Sequence, residues 1–478
     1  MFDANDHMFS YIKEKNIAFI DLKFTNLFGG WHHLTLPAPR FDQRILEEGI
    51  GFDASSMVGF KALEAGDMVL IPDIQTGFVD PFFNYPTLSF ICNIAEADTR
   101  KRFERDPRFI AQQSEDFLKS TGIATESKWG PEFEYYIFDR VDFRNDPFYT
   151  YFKIDSEESE WANYQGEGNQ SGYQIAHHKG YHAIPPFDVL NNIRTETVQI
   201  LESCGVPVKY HHHEVGSSGQ VEIEVVLDTL TRMGDVTMLT KYVAKNVARK
   251  LGKTATFMPK PLYHEAGNGM HFHQHLFKNG QPLFYDKSGY GGLSQLALSY
   301  TAGILKHAPA LTGLTNPSTN SFRRLVPGYE APVSLFFSLA NRSSAVRIPK
   351  YATNPMEKRV EFRPPDATCN PYLAMSAMLL AGIDGIQHNL DIRQEGFGPF
   401  DVNLFAKENG HVREKIASIP TSLENALECL NRDNDFLTRQ SIFPSDLIST
   451  WIQEKMNKDF LEDRNRPTPY EFLLYFGI

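Results

Sequence analysis

Between residues 10 and 100, apolar residues come in short runs at 18–21, 69–71 and 88–92, cut by Gly29-Gly30, Pro37, Pro39, Gly49, Gly51 and Pro81. Apolar runs of that length between turn formers predict strands. The segment 100–108 (RKRFERDPR) is dense in charge and contains Pro107. It predicts a boundary between a small N-terminal domain, 1–105, and a large second domain, 106–478. Beyond it strands and helices mix. Residues 188–204 predict a helix capped by Asp188 and ended by Gly205, with Ile193, Ile200, Leu201 and Cys204 on one face. Residues 235–251 predict another, with Leu239, Val243 and Val247 on one face and Gly252 beyond its end. Residues 371–386 read as a buried helix, whereas 141–172 and 391–420 are polar, poorly periodic and predict surface loops.

The informative pattern has period two. Glu132 and Glu134 alternate with Phe133 and Tyr135; Gln220, Glu222 and Glu224 with Val221, Ile223 and Val225. His271, His273 and His275 alternate with Phe272 and Gln274, and Arg359, Glu361 and Arg363 with Val360 and Phe362. On a strand, residues i and i+2 share a face. Each segment therefore puts ionisable groups on one face and mostly apolar groups on the other. A single such strand is the ordinary wet face of an antiparallel sheet. Several of them, rich in Glu and His and nearly free of Lys, predict carboxylates that repel unless cations neutralise them. Many Glu and few His suit Mg²⁺ or Mn²⁺ better than zinc. The run His211-His212-His213-Glu214 adds a carboxylate, and one or two of its His are expected to be packing or surface residues.

Composition narrows the chemistry. Lys and Arg number 47 against 59 Asp and Glu, a net charge of −12 over 478 residues. Such a balance disfavours non-specific binding to nucleic acid or anionic membranes. The four cysteines are scattered, which predicts neither a disulfide framework nor a thiolate zinc site. The first residues show no secretory leader and the longest apolar stretch, 373–383, is too short to span a bilayer, so a cytoplasmic protein is expected.

Against the acidic background, Arg323, Arg324, Arg342, Arg347, Arg359 and Arg363 fall within 41 residues. Arg is suited to bidentate binding of carboxylate and phosphate. Cations held by carboxylates beside clustered Arg are what phosphoryl transfer requires. The common nucleotide motifs are missing. There is no GxGxxG, and Gly252-Lys253-Thr254 lacks the earlier P-loop glycine, its place being taken by Val247; GKT reads as a helix end.

Taken in order, GFDASS (51–56), GPEFE (130–134), KGYHAIPPFD (179–188), HHHEVGSSGQVE (211–222), KTATFMPKP (253–261), GMHFH (269–273), NPSTNSFRRLVPGYEAP (316–332) and NRSSAVRIP (341–349) resemble class I glutamine synthetases. The resemblance runs along essentially the whole chain. It implies an α+β fold: a small N-terminal β-grasp-like domain, and a large catalytic domain with a curved antiparallel sheet flanked by helices. It implies ATP-dependent ligation of ammonium to glutamate, with two or three Mg²⁺ or Mn²⁺ per subunit. It also implies a dodecamer of two hexameric rings with active sites shared between subunits.

By motif, Glu134, Glu214 and Glu222 resemble the ligands of one metal, and Glu132, His271 and Glu361 those of another. The alternation alone does not choose between Glu222 and Glu224. Arg342, Arg347, Arg359 and His273 resemble ATP-contacting positions; Arg324, Arg363 and Gly267 resemble glutamate-contacting ones. Asp53 resembles the base that deprotonates ammonium, with Ser56 beside it; Tyr181, Glu214 and Glu330 resemble the rest of the ammonium cage. A bulkier amine would need some of these acids replaced, and a catalytically inert relative would not need the metal ligands.

Departures from the family pattern are Lys209, where many relatives have a nucleotide-contacting Glu, and Ala266, where Asn is common. A Lys is also missing near Met356. At DVNLF (401–405), Phe405 stands where adenylylated relatives carry the modified Tyr, which predicts an enzyme without that control. The tail 470–478 is nearly all apolar and would be a hazard if exposed; the resemblance implies that it inserts into the opposite ring, and the alternative is a terminal strand packed on its own domain.

Overall fold

The computed structural model describes residues 2–61, 65–164, 172–326, 331–401, 409 and 414–478. The N-terminal runs pair as β1 (Phe19–Thr25), β2 (Trp31–Pro37), β3 (Ile50–Asp53), β4 (Asp67–Val79) and β5 (Thr87–Glu96), in the order β2-β1-β5-β4-β3. Only β1 and β5 run parallel in this sheet. Ile20, Leu22, Leu70, Leu88 and Phe90 are fully buried within it.

The larger sheet is built from β6 (Glu126–Phe138), β9 (Val208–His213), β10 (Gln220–Val225), β13 (Phe272–Lys278), β15 (Ser334–Leu339), β16 (Ser344–Ile348) and β17 (Val360–Phe362). Their order is β15-β16-β17-β13-β6-β10-β9, with the short strands β11 (Asp228–Thr229) and β12 (Thr254–Thr256) on β6 and β14 (Gln281–Pro282) on β13. The helix Leu230–Lys250 packs on this sheet, and the helix Pro371–Gln387 packs on that helix. The Pro371–Gln387 helix is buried almost throughout, as its apolar run predicts. It crosses the Gln295–Thr315 helix at Gly303 and Gly385, where a Cβ on either would run into the other's backbone. None of the described helices is long and apolar enough to cross a membrane.

Four expectations change. Asp188 does not cap a helix: the helix is Asn191–Ser203, and Asp188 instead holds Arg194 by two hydrogen bonds of 2.9 and 2.5 Å, both side chains buried. The charge–charge bond outcompetes the cap. The second helix starts at Leu230, and Asp235 lies inside it, buried against Arg108. Within 141–172 the chain forms an exposed hairpin, β7 (Arg140–Asp146) and β8 (Tyr149–Asp155). Its alternation was hidden because aromatic residues occupy both faces, Phe143 and Phe152 on one, Tyr149 and Tyr151 on the other. The tail is the short helix Pro469–Tyr475, not a strand; Leu473, Phe476 and Ile478 are exposed, so it does not pack on its own domain.

The charged run 100–108 is partly interior. Asp106 caps the helix Pro107–Ser120 and accepts Arg102. Arg108 is buried, with bonds to Asp235, Asp73 and Asn93.

Candidate active site

Strand register assembles the site. Across β9, β10 and β6, His212, Glu222 and Glu134 stand opposite one another, and the next such row is Tyr210, Glu224 and Glu132. Across β16, β17 and β13, Arg347, Glu361 and His273 form a third row. Opposed residues share a face, so the charged faces of separate strands become one patch. That patch is not wet: Glu132, Glu222, Glu224, His271, His273 and Glu361 are all buried.

Glu132 lies 2.8 Å from His271 Nδ1 and 2.7 Å from His273 Nε2. Burial pushes its carboxyl up, but the two imidazoles overcome this and hold it well below the usual carboxylate range. His271 is also 3.5 Å from Glu361 and 3.7 Å from Glu134. Glu134 accepts the Gly269 N–H at 2.6 Å. Glu214 and Glu222 go the other way. Burial first, and the Glu134 charge second, push Glu214 up to about 7. Burial and then Glu132, Glu134 and Glu214 push Glu222 well above the usual range.

Three groups of side chains bring one ligand atom each within 4.8 Å of one another here: Glu132, His271 and Glu361; His212, Glu214 and Glu222; and Glu132, Glu224 and His273. This carboxylate-dominated donor set fits hard divalent cations. His212 was not singled out within the His run; its place opposite Glu222 depends on register. Of its neighbours, His213 is buried against Glu158 at 3.0 Å, and His211 bonds Arg194 and Thr195, both ordinary packing roles. Glu224 is bonded by Lys209, so the departure at Lys209 has a charged partner.

The arginines divide. Arg323 is exposed and pairs with Asp463, an ordinary salt bridge. Arg347 and Arg363 converge on buried Glu361 at 2.7 and 3.1 Å. Arg324 is buried and donates to the Pro364 and Pro365 carbonyls at 2.7 and 3.3 Å. Arg359 donates to the Glu357 carbonyl and lies over the Tyr351 ring, as Arg342 lies over Tyr181. A cavity of about 360 Å³ opens on this patch. Its wall includes Glu132, Glu134, Glu214, Glu222 and His271 with Arg324, Arg342, Arg347, Arg363, Tyr181 and Gly267. Gly267 sits so close to the Pro259 carbonyl and the Arg324 stem that no side chain fits there. Lys350 and Tyr351 also line it; nothing in their sequence context marked them.

Glu361, His273 and Arg359 are buried beside this wall rather than on it. Asp53 and Ser56 are outside the cavity too, exposed at the end of β3. There the Ser55 hydroxyl, the Ser55 N–H and the Ser56 hydroxyl hold the Asp53 carboxyl below its usual range. Glu330 and Phe405 lie outside the described residues.

Residues 104–475 match the family model described as glutamine synthetase, catalytic domain, and residues 16–97 that described as glutamine synthetase, beta-grasp domain. A glutamine synthetase of Frankia alni is 45% identical over 479 residues, covering 100% of both chains. A 3-hydroxylaminophenol mutase of Cupriavidus pinatubonensis is 43% identical, covering 98% of each. Among solved structures, a Plasmodium falciparum glutamine synthetase determined by cryo-electron microscopy superposes with a TM-score of 0.89 at 29% identity, covering 99% of both chains. The two family models follow one another along the chain, the cavity and its charged walls fall within the catalytic one, and the chain belongs to the glutamine synthetase family.

Proposed function

We propose that this chain ligates ammonium to the side-chain carboxylate of L-glutamate at the expense of ATP, by way of γ-glutamyl phosphate. The observation that carries the reading is one cavity lined by both carboxylates and arginines. In this reading Glu134, Glu214 and Glu222 hold one divalent cation and Glu132, His271 and Glu361 another, Mg²⁺ or Mn²⁺, with two or three per subunit. Bound there, such cations neutralise phosphate oxygens and make the γ-phosphorus a better electrophile.

The chain's own residues do the rest. Arg342, Arg347 and Arg359 take the phosphate oxygens and His273 supports the nucleotide side. Arg324 and Arg363 clamp glutamate, and Gly267 allows its main chain to approach. The substrate's side-chain carboxylate then attacks in line, and ADP leaves. Ammonium enters a cage of Asp53, Ser56, Tyr181, Glu214 and Glu330. Asp53 takes its proton, ammonia attacks the acyl carbon, and phosphate departs. Glu330 keeps water from the acyl phosphate. In a single chain Asp53 lies outside the cavity, so this reading requires it to come from a neighbouring subunit. The exposed tail helix supports the same assembly, a dodecamer in which it inserts across two rings.

Phosphate release with ATP, Mg²⁺ and glutamate, with and without ammonium, tests the reading when glutamine is scored directly. Ammonium-dependent release with matching glutamine supports it. Release only with a larger amine overturns the cage.

The raised carboxyls make a separate prediction. Glu214, at about 7 against an ordinary 4.5, must shed its proton to hold a cation. A carboxyl raised in the fold stabilises the metal-free protein at low pH, and that stabilisation is lost as pH rises through the folded value. Apparent Mg²⁺ affinity rises in the same window, by about tenfold per pH unit for each proton released, and flattens above it. Calorimetric titration in buffers of different ionisation heat counts those protons; a pH-independent affinity contradicts the assignment.

Control by adenylylation is also proposed to be absent, because Phe405 has no hydroxyl to accept AMP. The mass of the peptide spanning Phe405 is expected to stay unmodified after treatment with an adenylylating extract; one added adenylyl group there refutes this.

A further inference from the structure

The geometry points to a transition-metal site outside the catalytic cavity, formed by His177, His178 and Glu265 and suited to Zn²⁺. One ligand atom from each of the three lies within 4.8 Å of the others. Adjacent residues ordinarily direct their side chains apart. Here the two imidazoles stand 4.0 Å apart between ring centres, and His178 takes a φ of 58°. His264, just before Glu265, takes a φ of 62°. Left-handed backbone is uncommon for residues other than glycine, and both instances fall on the two segments that meet here.

The donors are held in place. Glu265 is buried, and Ser217 donates to it through both its N–H, at 3.2 Å, and its hydroxyl. His178 Nε2 donates to the His264 carbonyl at 2.6 Å. A carbonyl only accepts, so that proton sits on Nε2 and Nδ1 is the ligating nitrogen in this assignment. Outer hydrogen bonds of this kind orient metal-binding imidazoles. His177 Nδ1 lies 2.7 Å from Glu265, and the His177 side chain is half exposed. On metal binding the Nδ1 proton passes to Nε2 of the half-exposed ring, and Nδ1 and Glu265 both turn to the ion. Nothing is oxidised and no net proton is released.

Two imidazoles and one carboxylate, a donor set that leaves the fourth tetrahedral position to water, suit Zn²⁺. The carboxylate-rich catalytic cluster has the opposite preference. The site also has a consequence for the cavity. His177 and His178 precede Tyr181, and Glu265 precedes Gly267; Tyr181 and Gly267 are both on the cavity wall. The Ala266 carbonyl accepts Tyr136 and the Gly267 carbonyl accepts Gln220. An ion here clips the segment carrying Tyr181 to a segment anchored on β6 and β10, and stiffens two sides of the pocket.

The test uses the full-length protein in saturating Mg²⁺, dialysed against Zn²⁺, with bound zinc counted by plasma mass spectrometry. His177→Ala and Glu265→Gln are each expected to carry one zinc fewer per chain than the unaltered protein. Equal zinc in all three overturns the site. Zinc is also expected to slow hydrogen exchange at 178–182 and 264–268 in the unaltered protein only; unchanged exchange overturns the clip. Zinc-free, Mg²⁺-dependent glutamine formation by His177→Ala is expected to match the unaltered protein. That assay keeps a failure of this site distinguishable from a failure of the proposed reaction.

Discussion

Glu132→Gln is expected to cut glutamine formation by roughly 10³-fold or more, the scale seen when a fixed electrostatic partner of the transition state is removed. Glu132 meets both His271 and His273 within 2.8 Å, and belongs to two of the three groups suited to a cation. An amide keeps the size and loses the charge. His273, fully buried, is then left without its anion, and the His271 and Glu361 group keeps a single carboxylate. The loss is expected in kcat together with a weaker Mg²⁺ dependence, while circular dichroism stays unchanged. Glu222→Gln provides the contrast. Its carboxyl is already pushed toward the protonated form, so the metal-free protein is expected to lose no stability even though activity falls. A Glu132→Gln variant retaining more than a tenth of normal kcat sinks the assignment.

The second large effect concerns stability. Arg108→Met is expected to destabilise the fold by about 3–5 kcal/mol, the usual cost of leaving a buried charge without its partner. The guanidinium makes two bonds to Asp235, at 2.9 and 3.0 Å, one to Asp73 at 2.8 Å and one to Asn93 at 2.6 Å. Asp73 and Asn93 belong to β4 and β5, whereas Asp235 belongs to the helix under the larger sheet. One side chain therefore ties the N-terminal sheet to the second unit. Without it Asp235 keeps, among the described residues, the Tyr372 hydroxyl at 2.7 Å. Lys would not substitute, since an ammonium lacks the planar fork that serves three partners. Thermal inactivation at fixed protein concentration is the measurement. The double variant Arg108→Met, Asp235→Leu is expected to recover part of the loss, because both charges are then gone. An unchanged midpoint in Arg108→Met would show that the network is idle.

Some of this protein is legible from its sequence alone. Period-two alternation identified the strands that carry Glu132, Glu134, Glu222, Glu224, His273 and Glu361, and the face on which each side chain lies. That is local information, because a strand's side chains alternate whatever it pairs with. The unbroken apolar run of the 371–386 segment marked a buried helix for the same reason. The family motifs then assigned roles to residues that alternation left equivalent, such as Glu222 and Glu224.

Register and burial were decided only by the tertiary structure. His212 joins Glu214 and Glu222 because β9 pairs with β10 in one particular register. A shift by one residue would put His213 there instead, and nothing in HHHE specifies which. Asp188 carries the local signature of a helix cap but is claimed by Arg194, and Asp235 is claimed by Arg108, 127 residues away, a pairing that only the fold brings about. His177 meets Glu265 at a separation of 88 residues in the chain. In each case the sequence supplied the chemical groups, and the energy of burying them set which partners they took, since a buried charge is tolerated only beside an opposite one.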